Sequence, residues 1–370
     1  MASGGKPGRL GDLWQRLVGR GDDTPPADGV AAPEAASGTA PLARPEGGAT
    51  PPDLRDYDIG PEIGRGAMAV VYKATRRSTG QQVAIKRLSL SREFSSDDLA
   101  DVRDRFMREA RAARSLQHPD ILQVVDAGQD GRDAWLALEY VLGRDLSLFT
   151  RPGHMLPVRE VVQIGVRLAR ALDYAHSQGV IHRDIKPANV MLDRINGGLK
   201  LMDFGIARVG DGHRTRTGLV LGTPSFMSPE QLAGLTVDGR SDLFSLGVLL
   251  YQLLTGTLPH QSDSMARLMQ LIATTPAPDI RVHRPELPES LALVLALAQE
   301  KRPELRYPCG EQMARDLEAV LIMDLQNEPA IAEAIQPQDA AFAQTLRLTS
   351  EEAGQNRRSS AEPPEPTQAP

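Results

Sequence analysis

Apolar and polar positions follow two different patterns along the middle of the chain. Short apolar-rich runs at 70–77 and 81–88 flank a Ser-Thr-Gly turn, which predicts a β-hairpin, and 134–141 predicts a further strand. Later apolar residues recur at helical spacing in 161–176, and 242–254 is apolar nearly all round, as in a fully buried helix. Because strands come first and helices later, the pattern favours an α+β protein with a small sheet-rich lobe and a larger helical lobe.

One predicted helix, 97–117, carries an acidic residue beside its apolar side. Ser96 is a plausible N-cap, with aspartates at 97 and 98 in the first turn. The apolar stripe is formed by Phe106, Ala110, Ala113 and Leu116. Glu109 lies on or beside this stripe, where a carboxylate calls for a cation. Two partners stay open, an arginine on the same helix or Lys86 from the strand before it.

The two ends of the chain differ from its centre. Segments 21–53 and 326–370 are rich in Pro, Ala and Gly and hold few large apolar residues, which predicts disorder. We therefore expect a tail over 1–54, one folded domain over 55–325 and a second tail over 326–370. The piece 9–20 has an amphipathic pattern, which a docking or membrane-surface helix would show. A short frayed helix on its own domain is favoured, because isolated helices of this length are marginal.

Charge and apolar content exclude several classes of protein. The chain has 370 residues, 41% hydrophobic content and a net charge of -6, which argues against nucleic acid as the main partner. The single cysteine, Cys309, cannot form an internal disulfide and fits a reducing compartment. The longest apolar stretches, 242–256 and 290–298, are too short or interrupted for the roughly 18 residues that span a bilayer, and favour buried helices. We expect a cytoplasmic protein with no transmembrane segment.

The stretch 63–71, IGRGAMAVV, is the first candidate for ligand chemistry. Gly64 and Gly66 are followed by Ala69, where a third glycine would complete a G-x-G-x-x-G pattern. A dinucleotide-binding loop needs a strand before the glycines and a helix after them, but here a strand follows. A glycine-rich hairpin lying over phosphates is therefore favoured, because backbone N–H groups approach closely where side chains are small.

Charged residues in three further stretches complete the candidate set. Lys86 shares its strand face with apolar neighbours, so it either lines a cleft or is a solvated surface lysine. HRDIKPANVML, residues 182–192, places Asp184, Lys186 and Asn189 within six positions. Asp203, in MDFGIAR, follows a short apolar run and sits naturally at a strand end, although an ordinary turn aspartate would look the same.

These stretches occur in one order: a glycine-rich loop, V-A-I-K, a helix glutamate, H-R-D-x-K-x-x-N, D-F-G and S-P-E. Over about 57–322 this order resembles the eukaryotic-like protein kinases, and DFGIAR and GTPSFMSPEQ resemble their bacterial serine/threonine members. The resemblance implies a bilobal kinase fold. Its small lobe is an antiparallel β-sheet with one key helix, and its larger lobe is mainly helical.

The resemblance also implies roles in phosphoryl transfer. Asp184 would accept or orient the proton of the substrate hydroxyl, and Lys186 would stabilise the transferring phosphate. Lys86 would hold the α- and β-phosphates and pair with Glu109. The metal ligands would be Asn189 and Asp203, binding Mg²⁺ or, in its place, Mn²⁺.

ATP is the implied nucleotide, lying between the lobes. Its adenine ring would be sandwiched by Val71, Ala84 and Met191, and backbone groups of Glu139 and Val141 would bind the ring edge. The residues implied to form the whole site are Ile63, Gly64, Arg65, Gly66, Ala67, Met68, Ala69, Val71, Ala84, Lys86, Glu109, Glu139, Val141 and Met191.

The remaining implied roles are structural and regulatory. Thr223 would brace Asp184 and Lys186, Glu230 would pair with Arg306, and Asp242 would hold the catalytic loop. In such kinases the arginine before the catalytic aspartate, here Arg183, tends to form an ion pair with a phosphorylated residue of the activation segment. Its candidates are Thr215 and Thr217, which could equally be plain solvated loop residues.

The implied function is an ATP-dependent serine/threonine kinase that phosphorylates proteins and its own activation segment, with self-association as a route to reaction in trans. Lys186 resembles the serine/threonine group rather than the tyrosine group. One alternative is a pseudokinase acting as a scaffold or ATP-binding regulatory module, which the presence of Lys86, Asp184, Asn189 and Asp203 disfavours. A small-molecule kinase of related fold is another, and the GTPSFMSPE segment disfavours it.

Overall fold

Five antiparallel strands form the sheet of the first lobe in this computed structural model, which describes residues 53–66, 69–94, 97–204 and 224–326. The sheet order is β1-β2-β3-β5-β4. The strands are β1 (Tyr57–Arg65), β2 (Ala69–Arg76), β3 (Gln82–Leu88), β4 (Val124–Asp130) and β5 (Asp133–Glu139). The predicted hairpin is confirmed as β2 and β3, and the predicted third strand as β5.

Two helices follow β3, a single turn α1 (Leu90–Glu93) and the long α2 (Leu99–Ser115). Phe106, Ala110 and Ala113 are buried as the apolar stripe predicted. The helix begins two residues later than expected, and Asp98, at the N-cap position, makes no side-chain cap bond. Ser96 lies outside the described residues.

A second, smaller sheet and six helices form the other lobe. The sheet has the order β6-β7-β8, with strands Arg144–Asp145, Val190–Asp193 and Gly198–Leu201. The helices are α3 (Val158–Ser177), α4 (Pro229–Ala233), α5 (Gly239–Thr255), α6 (Met265–Thr274), α7 (Glu289–Ala298) and α8 (Gly310–Met323). This order of elements confirms the α+β fold class with a small sheet lobe and a larger helical lobe.

The predicted buried helices have different outcomes. Helix α5 is buried along nearly its whole length, as its apolar sequence predicted. Helix α7 is buried on one side only, since Leu293 is 63% and Leu297 is 38% exposed. The sequence predicted a buried helix over 290–298, and α7 is confirmed as a helix with a buried side, although an all-apolar pattern gives no sign of which side meets the core.

Helices α3 and α8 pack at very close range at one glycine. A Cβ placed on Gly310, the first residue of α8, would lie 2.1 Å from the carbonyl oxygen of Ala169 in α3. The backbones cannot separate locally without disturbing both helices. Only a residue without a side chain therefore fits at this crossing.

Gly310→Ala should lower the free energy of unfolding by about 1–3 kcal/mol, the usual cost of overpacking. Gln312→Ala, on the exposed side of the same helix, is the matched control and should change stability by less than about 0.5 kcal/mol. Urea unfolding followed by circular dichroism measures both. Equal stabilities of the two variants would contradict the tight crossing.

Several predictions concern residues beyond the described ranges. The amphipathic piece 9–20 and nearly all of both predicted tails fall there, so the tails and the boundaries at 55 and 325 stay predictions. Among the described helices, none is long and apolar enough to cross a membrane. Cys309 is a free, exposed cysteine.

Candidate active site

The glycine-rich stretch forms the turn between β1 and β2. Gly64 lies opposite Val71 in the strand pair, and Gly66 N–H donates to the carbonyl of Ala69 at 2.8 Å. A strand follows the glycines, as expected for a hairpin that covers phosphates. Ala67 and Met68, at the tip, lie outside the described residues. Arg65 forms an ion pair with Glu62 at 2.6 Å.

Lys86 reaches across the cleft to Asp203. Its Nζ lies 2.5 Å from Oδ1 of Asp203, and both side chains are largely shielded from solvent. Asp203 has a positive φ of 59°, a backbone conformation that turns its carboxylate towards β3. The ammonium therefore pairs with Asp203 in this structure, and the expected pair of Lys86 with Glu109 stays a prediction.

The charge state of Asp203 follows from its neighbours. Burial by itself would raise the pKa of this carboxyl, but the adjacent Lys86 ammonium outweighs burial and holds the pKa below its usual value of 3.8. The charge of Lys186 adds to this lowering. Asp203 is therefore ionised at neutral pH and shares its cleft with the residues of the catalytic loop.

Asp242 holds the catalytic loop from the first turn of α5. Its Oδ2 accepts from His182 N–H at 2.8 Å, and its Oδ1 accepts from Arg183 N–H at 2.7 Å. Arg183 has a φ of 67°, which costs energy for a residue other than glycine and persists only where the surroundings fix it. The expected role of Asp242 is confirmed by these two bonds.

Asp184, Lys186 and Asn189 meet as the motif spacing predicted. Lys186 Nζ lies 2.7 Å from Oδ2 of Asp184. The side-chain amide of Asn189 donates to both the backbone carbonyl and Oδ2 of Asp184, at 2.8 Å in each case. The carboxylate is therefore held in one orientation, and the amide oxygen of Asn189 takes no part in these bonds.

The implied adenine walls come from both lobes. Val71 on β2 and Ala84 on β3 pack against the main hydrophobic core, and Met191 lies on β7. Glu139 ends β5, and its N–H already donates to the carbonyl of Gln123 at 3.0 Å. Because this N–H is already used, only the carbonyl of Glu139 is left as a backbone group for adenine.

The predicted Glu230–Arg306 pair is confirmed. The two guanidinium nitrogens of Arg306 lie 2.7 and 2.8 Å from the two carboxylate oxygens of Glu230, and Ser241 donates its hydroxyl to the same carboxylate. Burial would raise the pKa of Glu230, but the bonds from Arg306 and Ser241 outweigh it and lower the pKa. This buried pair fixes α4 against α5 and the segment before α8.

Sequence reasoning missed one contact of the catalytic loop. The side-chain amide of Gln231, in α4, donates to the carbonyl of Arg183 at 3.0 Å. Gln231 also completes a capping box with Ser228, the S-x-x-Q pattern visible in the sequence. That pattern predicts only a local cap, so nothing in the sequence indicated the contact with the loop.

The donor atoms of Asn189 and Asp203 suit a hard metal ion. No cluster of three or more His, Cys, Asp and Glu side chains occurs in the part of the chain that the structure describes. The available donors, the Asn189 amide oxygen and the Asp203 carboxylate, are hard oxygens. They fit Mg²⁺, which is bound by one or two protein ligands when substrate phosphates and water supply the rest.

Three predicted threonines cannot be placed. Thr215, Thr217 and Thr223 lie outside the described residues, so their roles stay predictions.

Comparisons with known proteins agree with this geometry. The family model described as "Protein kinase domain" matches residues 57–334. A probable serine/threonine-protein kinase of Streptomyces coelicolor is 42% identical over 276 residues, which cover 72% of this chain and 40% of the relative. Serine/threonine-protein kinase PknJ of Mycobacterium tuberculosis is 41% identical over 271 residues, covering 72% of this chain and 45% of the relative. The chain therefore spans about two fifths of the length of these curated relatives.

A solved structure gives the same result. The crystal structure of the Mycobacterium tuberculosis PknI kinase domain has a TM-score of 0.59 and 32% identity, and covers 73% of this chain and 98% of that one. With the family match over most of its length, and with Asp184 and Asp203 each paired with a lysine, the chain belongs to the protein kinase family and is similar to its bacterial serine/threonine-protein kinases.

Proposed function

We propose that the chain is an ATP-dependent protein kinase that transfers the γ-phosphate to serine and threonine hydroxyls. The observation that carries this proposal is the fixed Asp184 carboxylate, held by Lys186 and Asn189 in the same cleft as the Lys86–Asp203 pair. Phosphoryl transfer needs positioned charges more than covalent chemistry from the protein. A positioned carboxylate beside two lysines supplies these charges.

ATP fits the cleft between the two sheets. Val71 and Ala84 would cover one face of the adenine and Met191 the other, while the carbonyl of Glu139 and the backbone of Val141 would bind its edge. The glycine-rich turn would lie over the phosphates. When ATP binds, the Lys86 ammonium would move from the Asp203 carboxylate to the α- and β-phosphates. It would thus exchange one anionic partner for another.

Mg²⁺ would supply neutralising charge to the phosphates. Its protein ligands would be Asn189 and Asp203, whose lowered pKa keeps it ionised over the physiological range. Mn²⁺ also prefers oxygen ligands and can take the same place.

The catalytic loop would handle the substrate proton. Asp184 would accept the proton of the substrate hydroxyl as the hydroxyl oxygen bonds to the γ-phosphorus. The bond from the γ-phosphorus to the oxygen bridging to the β-phosphorus would break at the same time, with ADP as the leaving group. Lys186, 2.7 Å from Asp184, would stabilise charge on the transferred group. Cytoplasmic location, protein substrates and self-association stay predictions from the sequence and its resemblance.

Incubation with γ-labelled ATP, Mg²⁺ and a generic protein substrate tests the proposal. We expect label on phosphoserine and phosphothreonine and none on phosphotyrosine. ATP binding in a thermal-shift assay without any transfer would favour the scaffold alternative. Label on a small molecule alone would favour the small-molecule kinase.

The contacts of Arg183 support the proposal that phosphorylation activates this kinase. Its backbone is fixed on both sides, by Asp242 at its N–H and by Gln231 at its carbonyl. Its side-chain Nε is buried and has no hydrogen-bond partner within the described ranges. A guanidinium nitrogen that is shielded from water favours a nearby anion. A phosphate on Thr215 or Thr217 would supply that anion.

Arg183→Gln should therefore uncouple phosphorylation from activation. In the wild type, mass spectrometry should find phosphate on Thr215 or Thr217, and phosphorylation should raise activity by about tenfold or more, the value of one charge-assisted hydrogen bond. In the variant the same phosphate should have little effect. Arg302→Gln, an exposed arginine, is the control. Fully active wild type without phosphate in 211–223 would contradict the proposal.

A further inference from the structure

Two lysines hold the short connection between the lobes, one from each side. This hinge comprises residues 139–141, which follow β5. Lys200, in the large lobe, lies 2.6 Å from the carboxylate of Glu139. Lys73, in the small lobe, lies 4.8 Å above the ring of Tyr140. We propose that Lys200, assisted by Lys73, positions the hinge backbone and so sets the affinity for the nucleotide base.

The position of Lys200 links the hinge to the floor of the cleft. It lies on β8 directly opposite Met191 on β7, and cross-strand partners point to the same side of a sheet. It stands three residues before Asp203. Its ammonium also lies 3.4 Å from the carbonyl of Ile121. One side chain therefore connects the implied adenine floor, the strand that precedes Asp203 and the hinge.

Glu139 is held by its main chain and its side chain together. Its N–H donates to the carbonyl of Gln123, and its carboxylate accepts from the N–H of Gln123, both at 3.0 Å. The Lys200 ammonium binds the same carboxylate oxygen, Oε1, that accepts from Gln123 N–H. These contacts hold the N–H and the side chain of Glu139, and through them the peptide whose carbonyl would bind the base.

The loop that carries Gln123 is itself anchored to β8. Leu122 N–H donates to the carbonyl of Leu201 at 2.9 Å, and Leu201 N–H donates to the carbonyl of Asp120 at 2.8 Å. These backbone bonds do not depend on the Lys200 side chain. Removing its charge should therefore leave β8 and Asp203 in place and release only the hinge.

The expected effect is on binding rather than on chemistry. Hinge contacts to a base are equally strong before and during phosphoryl transfer, so weakening them raises KM and leaves kcat unchanged. Lys200 and Glu139 are 20% and 27% exposed, so their pair is partly screened, and we expect about a fivefold effect. Lys73→Met should act in the same direction with a smaller effect, since a partly exposed cation–π contact is weaker.

This inference rests on the proposed function, and the experiment separates the two. Lys200→Met removes the cation, and Glu139→Gln removes the charge but keeps an oxygen for Gln123 N–H. Lys200→Arg keeps the cation. Arg170→Met, which breaks an ion pair between α3 and α8 remote from the cleft, is the control. For each variant we would measure kcat, KM for ATP, and inhibition constants for adenosine and tripolyphosphate.

The charge-removing variants should raise KM for ATP and the inhibition constant of adenosine by about fivefold each, with kcat and tripolyphosphate inhibition within about twofold of the wild type. The double variant should be no worse than either single one, because the pair is lost once. Lys200→Arg and Arg170→Met should resemble the wild type.

Unchanged adenosine inhibition in both charge-removing variants of an active enzyme would overturn the inference and leave the proposed function standing. Equal weakening of adenosine and tripolyphosphate would also overturn it, since the cleft as a whole would then be disturbed. A wild-type protein that binds no adenosine would overturn the proposed function and this inference with it.

Discussion

Asp184→Asn should lower kcat for protein phosphorylation by about 10²- to 10⁴-fold, the range for loss of a positioned general base. The amide that replaces the carboxylate cannot accept the substrate proton. The variant should fold, because its amide oxygen can still accept from Lys186 or Asn189. KM for ATP should stay within about twofold of the wild-type value, since Asp184 has no proposed role in binding the adenine base or the phosphates of ATP.

Initial rates with a protein substrate measure this effect. Asp130→Asn, an exposed carboxylate in the small lobe, is the matched control and should keep the wild-type rate. A kcat of Asp184→Asn near that of Asp130→Asn would mean that another group takes the proton. The catalytic role derived for the loop would then be wrong.

The largest expected effect on stability belongs to Arg306. Its side chain is fully buried and forms two hydrogen bonds with the Glu230 carboxylate. Arg306→Ala should lower the free energy of unfolding by about 3–5 kcal/mol at neutral pH, because it leaves a buried charge without its cation. Arg281→Ala, which breaks an exposed pair with Asp279, should cost at most about 1 kcal/mol.

The cost of Arg306→Ala should depend on pH. In the wild type the pKa of Glu230 is lowered from 4.5, so its ion pair stabilises the fold above the unfolded pKa and this contribution is lost as pH falls through the folded pKa. Below about pH 4 the stability difference between wild type and variant should therefore shrink. Urea unfolding at pH 7 and pH 3.5 tests this, and a pH-independent difference would contradict the charge-based account.

Local patterns predicted the elements well. The turn between β2 and β3 and the stripe of α2 depend on neighbours a few residues apart, which periodicity reveals. The order of short motifs placed Asp184, Lys186 and Asn189 correctly, since all three lie on one loop. The start of α2 at Leu99 was missed because the prediction relied on an N-cap side chain, and Asp98, at the N-cap position, makes no cap bond.

Local patterns do not encode contacts between distant segments, and the long-range contacts that were predicted came from the family resemblance alone. The partner of Lys86 is Asp203, which lies 117 positions further on. This contact depends on the backbone turn at Asp203, which spacing does not encode. Lys200 and Glu139 likewise meet only once β8 and the hinge are folded together.

The central claim is that this cleft performs phosphoryl transfer to hydroxyl groups of proteins. Intact-mass spectrometry of purified wild type and Asp184→Asn, each incubated with Mg²⁺ and ATP from the unphosphorylated state, tests it most directly. The account predicts added phosphate on serine or threonine in the wild type alone. Equal phosphate in both proteins, or none in a wild type that binds ATP, would contradict it.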